Sequence, residues 1–162
     1  DVFAITVNTL YDNVYSYVGL AFIIVTVMFA IEIYCDFSGY SDIAIGCAKL
    51  FGIDLMTNFK SPYYSFSIKE FWSRWHISLS TWFRDYVYIP LGGNRVPKWR
   101  HMLNLLLTFL VSGFWHGSTI TYIVWGALHG LLQIIETLIC PKGKPRKKHF
   151  IMLPVSLSME KE

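Results

Sequence analysis

Apolar residues run in long blocks along this chain, divided by short polar stretches. Residues 14–33 (VYSYVGLAFIIVTVMFAIEI) hold one charge, Glu32, near their end. At about 1.5 Å of rise per residue, such a helix covers a hydrocarbon core of roughly 30 Å, so the block predicts a membrane span. The stretch DFSGY, residues 36–40, interrupts the pattern with turn chemistry. Residues 41–53 resume it weakly and are too short to cross, which predicts a re-entrant or half-buried helix. A backbone break at that depth survives only where protein or a water-filled cavity satisfies its polar groups.

Residues 54–100 are amphipathic and rich in aromatic rings. They carry Lys60, Lys69, Arg74, Arg84, Arg95, Lys98 and Arg100. This composition predicts interfacial helices on the cytoplasmic side. Ser65 or Ser67 fits the N-cap of a helix beginning near Ile68, with Glu70 in its first turn. Residues 90–94 (PLGGN) predict a loop. Residues 102–115 then run without a charge, about 21 Å of helix and short of a full crossing. His116 and Gly117 follow, and residues 119–139 form a second block of spanning length that carries His129 and Glu136. No internal repeat is visible, and residues 150–162 carry no usable pattern.

Composition strengthens the membrane reading. Of 162 residues, 54% are apolar, and the mean hydropathy is +0.41. A soluble domain is usually nearer 45–50% apolar. Aromatic residues make up 17% and cluster beside charges, as rings do at membrane interfaces. The net charge of +3 is small, but no Lys or Arg precedes Lys49, and Lys142, Lys144, Arg146, Lys147 and Lys148 crowd together. Such a run can mark nucleic-acid binding. Its place directly after an apolar helix favours a cytoplasmic flank against membrane lipid, so no nucleic-acid partner is expected. With both basic stretches on the cytoplasmic side, residues 102–139 form a hairpin whose tip, His116, lies deep in the membrane in a protein-lined or wet recess.

Cys35, Cys47 and Cys140 give an odd count and no metal-ligand spacing. Cys35 and Cys47 are expected to pack as small apolar residues. The sequence starts at Asp1 with no basic segment before the first apolar block, so no signal peptide is expected. The chain reads as a piece of a larger protein with earlier spans.

Three groups of residues carry candidate chemistry. His116 sits in SGFWHG, residues 112–117, beside Trp115. An imidazole can accept and return a proton near neutral pH, and burial keeps it neutral and basic. Glycines 113 and 117 are expected to leave room for substrate, with Trp115 walling the cavity. The bland alternative is a histidine bonding between helices, but ionisable groups inside membranes default to function.

The second group is WSRWHISLSTWFRD, residues 72–85. On one continuous helix Arg74 and Ser78 share a face, as do Trp75 and Leu79. Arg84 and Asp85 are adjacent, point apart and are expected to find other partners. The arginines can hold an anionic acyl donor by its phosphates, or they can snorkel within an aromatic interface belt. The third group is Asp36, Ser38 and Asp42, which can orient a polar substrate, bind a cation or hydrogen-bond within the bundle.

His129 reads as packing or support for the site. It lies thirteen residues after His116, not one helical turn away, and no acidic partner completes a metal site, so no metal is expected. His101 and His149 read as surface residues. No phosphate-binding loop, dinucleotide fingerprint or serine elbow is present.

Long motifs in fixed order carry a resemblance. DFSGYSDIAIGCAKLFGI, then NFKSPYYSFSIKEFWSRWHISLSTWFRDYVYIPLGGNR, then NLLLTFLVSGFWHGSTITYIVWGALHG resemble the bacterial membrane-bound O-acyltransferases over residues 34–136. IPLGGNR, residues 89–95, is similar to the branch that O-acetylates alginate and peptidoglycan. The D-alanyl transferases of teichoic acid share the WHxSLSxWFRDYVY run and diverge after it. The resemblance places the family's signature histidine on His116 and its second polar site position on His76.

It implies an all-α integral membrane fold, a multi-helix bundle with re-entrant and interfacial helices whose two funnels meet near the histidine. Residues 1–140 are then part of the catalytic membrane domain, and residues 141–162 a basic cytoplasmic tail. It implies multi-pass placement in the cytoplasmic (inner) membrane. It also implies acetyl transfer from a cytoplasmic donor, with acetyl-CoA as substrate and no bound cofactor. The acceptor is an envelope polysaccharide, reached with an extracytoplasmic SGNH-type partner. Trp75, Arg74, Arg84, Asp85, Trp115, Asp36, Ser38 and Asp42 are the expected supporting residues. Family members carry many more spans, so this stretch alone is expected to be incomplete and inactive. D-alanyl transfer, transport through broken helices and an inactive scaffold are the alternatives.

Overall fold

The computed structural model describes residues 19–140, and every regular element among them is helical. The chain divides into two compact units, Asp1–Thr57 and Asn58–Glu162.

The first unit holds one described helix, α1, over Leu20–Leu50. It runs for 31 residues without interruption. DFSGY therefore makes no break, and the re-entrant segment expected after it is a continuation of the same helix. The reason is local: Gly39 stays in the helix without strain, and the Ser38 hydroxyl donates back to the Cys35 carbonyl at 3.4 Å instead of opening the chain. The helix ends in a Schellman motif. Gly52 takes the left-handed conformation (φ 71°), while Ile53 N–H donates to Ala48 O and Gly52 N–H to Lys49 O, each at 3.0 Å. At about 46 Å the helix is longer than a bilayer core. The stretch Ile23–Leu50 has the length and composition of a span. Cys35 and Cys47 are exposed on it and are not packed as expected.

The second unit begins with an extended segment and a single 3-10 turn, Pro62–Tyr64. Helix α2 follows over Ile68–Arg74, then α3 over Ile77–Phe83, a π-helical turn over Arg84–Tyr88, α4 over Lys98–His116 and α5 over Ile120–Ile139. Ser67 caps α2 by accepting the Glu70 N–H at 2.9 Å, and the Glu70 carboxylate reaches back to Phe66 N–H at 2.9 Å. This is the capping chemistry that the S-x-x-E spacing predicts.

Helices α4 and α5 form the antiparallel hairpin expected from the charge pattern. Helix α4 is longer than the uncharged stretch, because it starts at Lys98 within the basic patch. Of the pair, α5 (Ile120–Ile139) has the length and composition of a span. Glycines let the two backbones meet. A methyl group on Gly126 would collide with the Phe109 carbonyl oxygen, and one on Gly113 with the Tyr122 carbonyl oxygen. Small residues at such crossings are the usual means of close helix packing in membranes.

The PLGGN loop is fastened to this hairpin by one side chain. Asn104, fully buried, donates from Nδ2 to the carbonyls of Leu91 at 3.0 Å and Gly93 at 3.1 Å. Helix α2 lies against α5, where the Glu136 carboxylate accepts the Lys69 N–H at 2.9 Å. That bond satisfies a first-turn N–H of α2 that its own helix leaves unpaired.

Candidate active site

The two histidines of interest come from different elements. His76 lies at the junction of α2 and α3. The continuous helix expected through residues 72–85 is broken there, because two backbone groups are drawn out of the helical ladder. Arg74 O accepts from Lys60 N–H, and Ile77 N–H donates to Asn58 O, each at 3.0 Å. Trp75 is extended (φ −103°, ψ 128°), and His76 is left-handed (φ 43°, ψ 57°). The Trp75 ring fixes the break by packing on Phe59 at 5.1 Å, Phe71 at 5.5 Å and Tyr63 at 6.2 Å. Arg74 and Ser78 consequently do not share a helical face. Arg74 pairs instead with Glu70 at 2.7 Å, and Ser78 bonds to Asn58.

His116 is the last residue of α4, at the turn into α5. The residue is exposed, not buried as expected, and three rings stand beside its imidazole: Trp115 at 5.1 Å, Trp125 at 5.3 Å and Tyr122 at 6.4 Å, the last nearly parallel at 22°. Gly117 does not open space here as expected. A Cβ at that position would run into the Tyr122 ring, so the glycine lets that ring lie close. Gly113 likewise serves the helix crossing rather than the substrate.

His116 lies near enough to His76 for its charge to act there. Burial holds His76 below the ordinary imidazole range, and the nearby His116 lowers it further, because two positive charges there repel. Neutral His76 keeps one N–H to donate and one nitrogen to accept.

An aromatic wall continues from His116. Trp125 also meets His129 at 4.7 Å, and Trp72 of α2 meets both, at 5.8 Å and 5.1 Å. His129 is thus a packing residue of the site's back wall, as its position suggested. His101 is half-buried against Tyr88 at 6.2 Å, not simply on the surface, while His149 lies outside the described residues.

Arg84 and Asp85 pair with each other, contrary to expectation. Arg84 Nε donates to Asp85 Oδ1 at 2.7 Å, and both are exposed. The π-helical turn starts at these residues, and the long arginine side chain reaches its neighbour. Their hydrogen bond raises the guanidinium and lowers the carboxyl. Trp115 is 58% exposed and stands beside His116 as an open flank. Asp36, Ser38 and Asp42 sit on α1, in the other unit.

Residue-type reasoning passed over Asn58, Trp125 and Tyr122. The spacing carried a signal for the rings: 122, 125 and 129 follow the i, i+3, i+7 rhythm of one helical face.

These elements define a helical membrane domain with one histidine at a hairpin tip and another at a helix break. The chain belongs to the membrane-bound O-acyltransferase family, whose model matches residues 2–145. A protein named "Probable alginate O-acetylase" from Pseudomonas fluorescens is 58% identical over 115 residues, 71% of this chain and 23% of that protein. A "Peptidoglycan O-acetyltransferase" from Helicobacter pylori is 48% identical over 124 residues, 76% of this chain and 23% of that protein. A "Teichoic acid D-alanyltransferase" from Streptococcus thermophilus is 39% identical over 128 residues, 75% of this chain and 31% of that protein. The chain thus spans about a quarter of the length of the curated acetylating relatives it matches.

Proposed function

We propose that these residues form the reacting part of a membrane O-acetyltransferase. It moves acetyl groups from cytoplasmic acetyl-CoA towards an envelope polysaccharide such as alginate or peptidoglycan. The reading is supported by the placement of two histidines: His116 stands at the hairpin tip against Trp125, and His76 is held left-handed at the α2–α3 break, within reach of the charge of His116. The names of the relatives at 48–58% identity support the acyl group and the acceptor class.

The chemistry follows from the two imidazoles. His116 takes the proton from the acceptor hydroxyl, or from a relay group, as its oxygen attacks the thioester carbonyl carbon. Neutral His76 donates its N–H to the carbonyl oxygen, positioning the thioester and stabilising the charge that develops there. The C–S bond breaks as the C–O bond is completed, and the proton held by His116 passes to the departing thiolate. An extracytoplasmic SGNH-type partner completes delivery to the sugar. The protein lies in the cytoplasmic membrane with residues 60–100 on the donor side.

The test uses membranes containing the full-length protein and acetyl-CoA labelled in the acetyl group. Transfer of label to envelope polymer, lost in His116→Gln, is the expected result. Label transfer only when D-alanine and its carrier protein replace acetyl-CoA would assign the chain to the teichoic-acid reaction instead. Solute movement without acyl turnover would make it a transporter.

A further inference from the structure

His76 occupies the N-cap of α3, and an N-cap side chain ordinarily bends back to accept from the second or third helical N–H. The His76 side chain makes no such bond. A residue from outside the helix does the capping. The Asn58 carbonyl accepts the Ile77 N–H at 3.0 Å, and Asn58 Oδ1 accepts the Ser78 N–H at 3.1 Å and the Ser78 hydroxyl at 2.6 Å. Two residues further along, Lys60 N–H donates to Arg74 O at 3.0 Å. One short extended segment therefore grips the backbone both before and after Trp75 and His76.

The grip matters because of the conformation it holds. His76 is left-handed (φ 43°), a region that side chains with a Cβ disfavour and that persists only where the surroundings over-determine it. Such positions collect at functional sites. Ser80 closes the first helical bond by donating to His76 O at 2.9 Å, so the turn is fixed on its helical side as well.

We infer that Asn58 is a positioning residue for His76: by capping α3 in its place, Asn58 holds the left-handed turn from which the imidazole projects. The inference rests on the reading of His76 as a member of the reacting pair. It assigns Asn58 no contact with substrate.

The test uses the full-length protein in membranes, with acetyl-CoA as donor, and compares Asn58→Ala, Asn58→Asp and His76→Gln. Asn58→Ala should lower kcat by about 10- to 100-fold, the loss typical of a misplaced reacting group, and leave the KM for acetyl-CoA within about threefold. Asn58→Asp keeps an acceptor oxygen for Ser78 and should return kcat to within about threefold of wild type. A role confined to folding would lower the amount of inserted protein and leave kcat per molecule unchanged. Wild-type kcat in Asn58→Ala, an Asp variant no better than Ala, or failure of both variants to insert would each overturn the inference. The two readings separate on His76→Gln. An inactive His76→Gln beside a fully active Asn58→Ala refutes only the positioning role. A fully active His76→Gln refutes the reacting pair itself.

Discussion

The imidazole of His116 and the indole of Trp125 meet at 5.3 Å between centroids, their planes 78° apart. This edge-to-face contact joins the tip of α4 to the first turns of α5, and it restricts rotation of a side chain that otherwise stands at a helix end. Trp125 should therefore act on the rate through the direction of His116. Trp125→Ala should reduce kcat by about 10-fold or more, the order expected when a reacting group loses its orientation. Trp125→Phe keeps a ring edge and should retain most of the activity. Equal turnover in the Ala variant and wild type, measured per inserted molecule, would remove Trp125 from the site.

The hairpin depends on backbone contact. A Cβ on Gly126 would meet the Phe109 carbonyl oxygen, which cannot turn aside as a flexible side chain can. Gly126→Ala should therefore destabilise the protein by about 1–3 kcal/mol, the usual range for overpacking. A lowered thermal midpoint in detergent checks this, together with reduced membrane levels. An unchanged midpoint would mean that α4 and α5 can separate at no cost.

Much of this arrangement could be read before any coordinates. The sequence narrows the cap of α2 to Ser65 or Ser67, the uncharged stretch and its basic flanks mark the hairpin, and His116 at its tip stands out as an ionisable residue in an apolar setting. Other features were hidden for definite reasons. The α2–α3 break has no glycine or proline to announce it. It arises from tertiary bonds to Asn58 and Lys60, which no helical period records. DFSGY looked like a turn, yet helix formation prevails there because its polar side chains bond along the helix or point outward. The Arg84–Asp85 pair joins neighbours that diverge on a helix, and only the reach of the long arginine side chain brings the two groups together. Glycines 113, 117 and 126 were legible as small residues, but only the crossing reveals that helix and ring contacts use their space.

The electrostatics of the pair predict a pH dependence with a definite sign. Burial and the nearby His116 both disfavour the imidazolium form of His76, so its neutral form persists below the ordinary value of about 6.5. As pH falls from neutrality, His76 should stay available through that value and become protonated only at lower pH. His116→Gln removes one of the two causes, so His76 should then titrate at higher pH than in wild type. The pH dependence of carbethoxylation at His76, followed by peptide mass, measures both. A wild-type midpoint at or above 6.5, or no upward movement in His116→Gln, would contradict the coupling.

The central claim is that His116 carries a proton during acyl transfer. The most direct measurement is acetyl transfer by full-length His116→Gln, normalised to inserted protein and compared with wild type. Glutamine retains hydrogen bonding and approximate size but cannot take up a proton at neutral pH. The variant should insert normally and keep a near-normal thermal midpoint, with transfer reduced at least about 100-fold, the lower bound expected for a positioned general base. Retention of more than about a tenth of wild-type transfer would contradict that role.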